Sequence, residues 1–141
     1  MEHVQFNNTI IVSLAPGEEI VESLTAFCGE RNIRLATVSG IGAVNRLKVG
    51  LFDPLNKQYH ASEFQRDFEI TALAGTVTQM EGKPYPHLHI TVADREHRAF
   101  GGHLNLAVVS AACEIVLTVL PGSVNRRFSE KIGLNMMAFD G

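Results

Sequence analysis

One stretch of this chain carries the repeat of a helix with a single apolar face, and nothing after it repeats that pattern. Ile20, Val21, Leu24, Phe27 and Cys28 recur at i, i+1, i+4, i+7 and i+8, which predicts a helix over about residues 17–30. Pro16-Gly17 breaks the segment before it, and Glu18-Glu19 puts acidic groups where the helix dipole favours them. Gly29 or Asn32 is placed to end it. The remaining apolar residues fall in β-like runs: Val4–Leu14, Ile33–Ser39, Ala43–Phe52, Gln58–Phe64, Phe68–Thr78, His87–Ala93, Cys113–Leu120 and Phe128–Phe139. One early helix among many strands does not alternate as βαβα, which argues against a doubly wound parallel sheet. The expected fold is α+β, with a mixed, mainly antiparallel sheet and one principal helix.

Turn chemistry divides the strands. Asp53-Pro54 with Asn56 predicts a hairpin, and Gly82-Lys83-Pro84 with Pro86 breaks the chain just before His87. Asp94–Arg98 is a charged loop, and Pro121-Gly122 turns the chain after a long apolar stretch. Ala107–Ala112 fits either a short helix or a turn. No internal repeat or composition shift marks a boundary, so a single domain over 1–141 is expected, long enough to bury a core without disulfides.

Several function classes lose support at this point. A net charge of −3 gives no field that would attract nucleic acid or an anionic membrane, and Arg126-Arg127, the basic doublet, fits a solvated turn. No apolar run is long enough to span a bilayer and no signal pattern opens the chain, so a soluble, cytoplasmic protein is expected. Cys28 and Cys113 sit among apolar neighbours as small buried hydrophobes. Ser39-Gly40-Ile41-Gly42-Ala43 has Asn45 where a dinucleotide fingerprint needs its third glycine, so these glycines are expected to shape a tight turn. There is no Gly-x-Ser-x-Gly elbow and no tryptophan for base stacking.

The histidines remain. On a strand over His87–Ala93, His87 and His89 share one face with Thr91, while Leu88, Ile90 and Val92 take the other. Their Cα atoms would lie roughly 6.5–7 Å apart. His103 follows Gly101-Gly102, a pair that permits close approach of a neighbouring strand. Three nitrogens with a vacant fourth position are a common way to hold catalytic zinc, so His87, His89 and His103 are the candidate ligands for zinc or another divalent transition metal. The bland alternative is three half-buried histidines bonded to backbone or water. His3 and His97 are expected to be solvent-exposed, and His60 to stand at most behind the ligands. Glu114 and Asp94 are conceivable as a fourth ligand or an acid–base group.

The order Pro16-Gly17-Glu18-Glu19-Ile20, Ser39-Gly40-Ile41-Gly42-Ala43, Gly50-Leu51-Phe52-Asp53-Pro54, Phe68-Glu69-Ile70, His87-Leu88-His89 and Gly101-Gly102-His103-Leu104 resembles the PPC domain, conserved between plants and prokaryotes. The resemblance runs from about Ile11 to Phe139. It implies a compact α+β domain assembling as a homotrimer, of the bacterial and archaeal type that stands alone and often carries the label "putative DNA-binding protein". The Arg-Gly-Arg-Pro core of the plant AT-hook is absent, which argues against direct DNA binding. Arg66-Asp67-Phe68-Glu69-Ile70-Thr71 keeps only part of the plant partner-binding segment, so that partner is not carried over. More distantly, the fold resembles acetolactate decarboxylases, which hold zinc through a His-x-His pair and a later histidine. Two functions follow as expectations. One is a trimeric metal-binding module with a regulatory or small-molecule-binding role; the other is a zinc-dependent lyase or decarboxylase for a small oxo-acid.

Overall fold

Strand alternation runs much further along the chain than its glycines and prolines indicate. The computed structural model describes residues 1–139. Its elements are β1 (Glu2–Phe6), β2 (Thr9–Leu14), α1 (Ile20–Glu30), β3 (Ala36–Asp53), β4 (Gln58–Met80), β5 (Lys83–Ala93), β6 (Ala99–Val119), β7 (Asn125–Ser129) and β8 (Leu134–Ala138). The expected α+β class with one principal helix is what the chain adopts. Its sheet is antiparallel except where β7 meets β4 in parallel at Gln79 and Asn125.

The helix starts later than expected but is held firmly at both ends. Glu19 caps its N-terminus, accepting from Glu22 N at 2.7 Å, and its other carboxylate oxygen accepts from Ala107 N on β6 at 2.8 Å. Asn32, with φ 52°, ends it; Ile33 N donates to Cys28 O at 2.8 Å and Asn32 N to Gly29 O at 3.2 Å, the two bonds of a Schellman motif. Ile20, Leu24, Phe27 and Cys28 are buried.

Several expected boundaries are corrected, and β3 and β4 each run through what the sequence divides into two strands. Val4–Leu14 is two strands rather than one, because Asn7 takes a left-handed conformation (φ 52°) and folds β1 back on β2. The glycines of 40–42 make no tight turn. They lie inside β3, at a register shift against β4, where a Cβ on Gly42 would stand 2.5 Å from Ala112 O. Ala107–Ala112 is neither helix nor turn but part of β6. Cys113 faces Gly42 and Val109 faces Val44, so three residues of β6 bulge out against one of β3. The last strand, expected over Phe128–Phe139, is a hairpin of β7 and β8 turning at Gly133 (φ 90°). The Asp53 turn is as expected, with Asp53 Oδ1 accepting from Leu55 N at 2.9 Å. The Glu81-Gly82 turn joins β4 directly to β5, which therefore begins at Lys83 and includes both prolines.

Strands β3, β4, β5 and β6 each pair with two others of the four: β3 with β4 and β6, β5 with β4 and β6. Their hydrogen bonding closes on itself, leaving these strands without a free edge along the paired stretches. One face of this circuit forms the core with α1, through Leu47, Leu73, Leu88, Ile90, Ile115 and Leu117, all at most 2% exposed. Burying each such side chain stabilises the fold by about 1.5–3 kcal/mol before entropy is counted. The opposite face of β5 is left for the histidines. No helix among the described residues is long and apolar enough to cross a membrane.

Candidate metal centre

Strand register brings the third histidine to the other two. β5 and β6 form a hairpin about the Asp94–Arg98 loop, in which His89 pairs directly with His103. Asp94 holds that loop, accepting from Glu96 N and Arg98 N at 3.0 Å and from Arg98 Nη2 at 2.7 Å. Those hydrogen bonds hold the Asp94 carboxyl below its ordinary pKa, led by the one from the Arg98 side chain. His87 stands two residues back on the same face of β5 as His89. Leu88, Ile90 and Val92 are buried on the opposite face, as the alternation predicted.

Gly101 and Gly102 permit this approach. A Cβ on Gly101 would run into Ile90 O, and one on Gly102 would lie 2.7 Å from Gly50 O on β3. The expectation that the glycine pair admits neighbouring backbone therefore holds on both sides of β6.

One ring nitrogen from each of His87, His89 and His103 lies within 4.8 Å of the others. Ring centroids are 5.1–5.6 Å apart. Three nitrogen donors converging from two strands fit a transition-metal ion such as zinc and suit a hard, oxygen-seeking cation poorly. The protonation state fits as well. Burial lowers the pKa of His87 to about 4, helped by the charge of Arg126, and burial followed by the proximity of His89 lowers that of His103. Neutral imidazole is the form that binds metal.

The triad faces a cavity of about 1100 Å³ walled by β3, β4, β5, β6 and the β7–β8 hairpin. Phe52, Phe64, Phe100, Leu134 and Met137 give it an apolar wall. Tyr59 stands edge-on to His103, with centroids 6.2 Å apart, and its hydroxyl donates to Asn105 Oδ1 at 2.6 Å. Among the described lining residues there is no Asp or Glu.

Neither proposed carboxylate belongs here. Asp94 is committed to its loop, and Glu114 lines a separate, smaller depression with Ile41 and Glu69. His60 lines the cavity wall outside the triad. His3 and His97 are exposed as expected, although His3 also lies 3.0 Å from Arg31 Nη1. Cys28 and Cys113 are buried free thiols, with burial raising both pKa values to about 11.

Arg126 is the residue that sequence reasoning missed. Instead of a solvated turn it occupies β7 with 7% of its surface exposed. Its Nε donates to Thr78 Oγ1 at 2.8 Å, its Nη1 to Asn135 O at 2.8 Å, and its Nη2 lies 3.2 Å from His87 Nδ1. Its guanidinium carbon sits 5.0 Å from the Tyr85 ring centroid. No local sequence signal marks it: its place on the inward face of a short strand is visible only once the β7–β8 hairpin is known.

Fold and site together define an α+β domain in which a closed circuit of strands presents three histidines to an apolar cavity. The chain belongs to the Plants and Prokaryotes Conserved (PCC) domain family, whose profile matches residues 1–121. The match stops short of β7, whereas the resemblance in sequence motifs extends to Phe139. A crystal structure of a "putative DNA binding protein" from Bacteroides thetaiotaomicron is 35% identical, with a TM-score of 0.95, covering 98% of this chain and 96% of that one. A metal-containing protein from Archaeoglobus fulgidus is 30% identical, with a TM-score of 0.87 and 96% of both chains covered. In sequence, 120 residues are 32% identical to a bifunctional GlmU protein of Synechococcus; that stretch is 84% of this chain and 18% of the relative's length.

Proposed function

We propose that this protein is a metal-binding PCC-domain module whose three histidines hold zinc, or a similar divalent transition metal, at the head of a small-molecule cavity, in a ligand-binding or regulatory role. The observation that carries this reading is the convergence of three nitrogen donors within 4.8 Å on a wall free of carboxylates among the described residues. The metal-containing relative from Archaeoglobus fulgidus supports it. His87, His89 and His103 would hold the ion, and when bound it would supply a Lewis-acidic open position toward the cavity. The apolar wall would exclude water from that position, and Tyr59 would fix the rim beside His103.

Elemental analysis of untagged protein tests the site. Near-stoichiometric zinc is expected in the wild type and loss of it in His87→Ala and His89→Ala; a wild type that stays metal-free after zinc addition would sink the reading.

A zinc-dependent lyase or decarboxylase for a small oxo-acid is the second reading, favoured by the open cavity in front of the triad. It ranks lower because no carboxylate among the described lining residues offers acid–base chemistry. Metal-dependent turnover in a screen of oxo-acids would raise it. DNA binding, suggested by the description of the Bacteroides relative, ranks last against a net charge of −3. An electrophoretic shift at low salt would reverse that order.

A homotrimer is also part of the proposal. Leu51, Phe128 and Phe139 are 60% or more exposed. Leu51 and Phe139 flank the cavity, and covering such groups favours subunit contact. Sedimentation as a monomer would remove this part alone.

A further inference from the structure

We propose that Arg126 is the anion-binding residue of the cavity, and that its ligand is a small organic carboxylate with an apolar body, the carboxylate lying between Arg126 and the histidine triad. The proposal deepens the reading of the triad as a metal site and rests on it.

The argument starts from a charge without a counter-charge. Arg126 is 7% exposed, yet none of its three hydrogen-bond partners, Thr78 Oγ1, Asn135 O and His87 Nδ1, is a carboxylate. Among the described residues it makes no ion pair, and the described cavity wall offers it no carboxylate. A buried charge is normally paired, yet among the described residues this cation has no anion. A guanidinium has five N–H groups, and three are used here, leaving one each on Nη1 and Nη2.

Metal loading changes the count. A guanidinium can only donate, so His87 Nδ1 accepts from Nη2. If Nδ1 ligates the ion, its lone pair is no longer available to Arg126. If Nε2 ligates, the neutral ring carries its proton on Nδ1, and two donors face each other. Either way a third N–H is released beside the ion, and two like charges are left close together. An anion between them answers both.

Its class follows from the wall. A planar carboxylate matches the planar guanidinium fork, and Phe52, Phe64, Phe100, Leu134 and Met137 suit an apolar body. A phosphate would bring more charge and a third acceptor oxygen to a wall that is largely apolar.

Phenylacetate is the probe, titrated calorimetrically into zinc-loaded and metal-free protein. Binding to the zinc-loaded wild type is expected to weaken on the order of tenfold to a hundredfold in Arg126→Gln. Arg126→Lys keeps the charge, guards against misfolding of the first variant, and is expected to fall between because it lacks the fork. Arg126→Gln should keep its zinc. Saturating phenylacetate should tighten zinc binding in the wild type by the factor by which zinc tightens phenylacetate, and this coupling should vanish in Arg126→Gln. No binding to the zinc-loaded wild type at millimolar phenylacetate would overturn the proposal. So would equal binding of neutral phenylacetamide or inorganic phosphate, or wild-type affinity in either variant. If the wild type takes up no zinc, the metal reading fails separately, and phenylacetate binding by the metal-free protein, dependent on Arg126 or not, still decides the anion site.

Discussion

Replacing Gly102 with alanine should disable the histidine site without touching a histidine. A Cβ there would lie 2.7 Å from Gly50 O, about 0.7 Å inside the 3.4 Å at which ordinary contact begins. The oxygen is backbone and a Cβ is fixed in place by its own backbone, so β6 and β3 must move apart to relieve the overlap. Such overpacking costs about 1–3 kcal/mol, a fall in Tm on the order of 4 °C per kcal/mol for a chain of this size. His103 is the next residue, and metal–ligand distances tolerate only about ±0.2 Å. The shift is several times that tolerance, so zinc binding should suffer more than the fold does. The assay is thermal unfolding with and without zinc. At a free zinc concentration one hundred times its dissociation constant, the wild type should gain about 2.7 kcal/mol, and Gly102→Ala should gain little. Gly82→Ala is the control: it carries a φ of 75° with nothing within 4 Å of its Cβ, so it should lose some stability and keep the full zinc increment. A Gly102→Ala protein with wild-type zinc stabilisation would refute the link between strand spacing and ligand geometry.

Glu19→Ala removes both the helix cap and the acceptor for the buried Ala107 N–H, and should cost about 2–4 kcal/mol in urea unfolding. Glu19→Gln keeps an acceptor oxygen and should lose clearly less; equal losses would show that the charge, not the acceptor, matters. In metal-free protein, His87 has a folded pKa of about 4 against an ordinary 6.5, so the unfolded state takes up the proton first as pH falls. The stability concerned is therefore fully present above pH 6.5 and is lost toward pH 4, with His103 acting in the same direction. His87→Gln should flatten that stretch of a urea-midpoint profile, and an unchanged slope would contradict the assignment. Cys28 and Cys113, with pKa values of about 11 and no exposed surface, should resist a thiol reagent at pH 8 until the protein unfolds; rapid native labelling would argue against their burial.

The helix and two of the three clustered histidines were legible because each depends on local periodicity. Ile20, Leu24 and Phe27 mark a face by themselves, and so do His87 and His89. The third histidine was partly legible. Folding the chain back about Glu96, the middle of the charged loop, sets His103 opposite His89, and the structure uses that register. The long strands were not, since Gly40, Gly42 and the alanines near Ala112 look like breaks until cross-strand pairing shows them to be bulges. Arg126 was hidden for a different reason. A charged doublet is ordinarily solvated, and only the packing of a hairpin distant in sequence from His87 reverses that expectation for one of its two members.

The β7–β8 hairpin joins the strand circuit through the Gln79–Asn125 bridge and the Gln79 N to Val124 O bond of 2.8 Å, the hydrogen bonds of Arg126, and the side-chain bonds of Lys57 Nζ to Glu130 O and Asn135 Nδ2 to the Tyr85 hydroxyl. Its backbone ladder with the circuit is therefore shorter than any pairing within it, and it is expected to open before the histidine strands do. Amide exchange should then be fast across β7 and β8 and slow in β5 and β6. Capture and release of a cavity occupant would follow the hairpin's opening frequency, leaving the metal-holding strands undisturbed through each cycle. Retention of the ion and residence time of the ligand would thus be two separately adjustable properties, the first written in residues 87–103 and the second in residues 125–138.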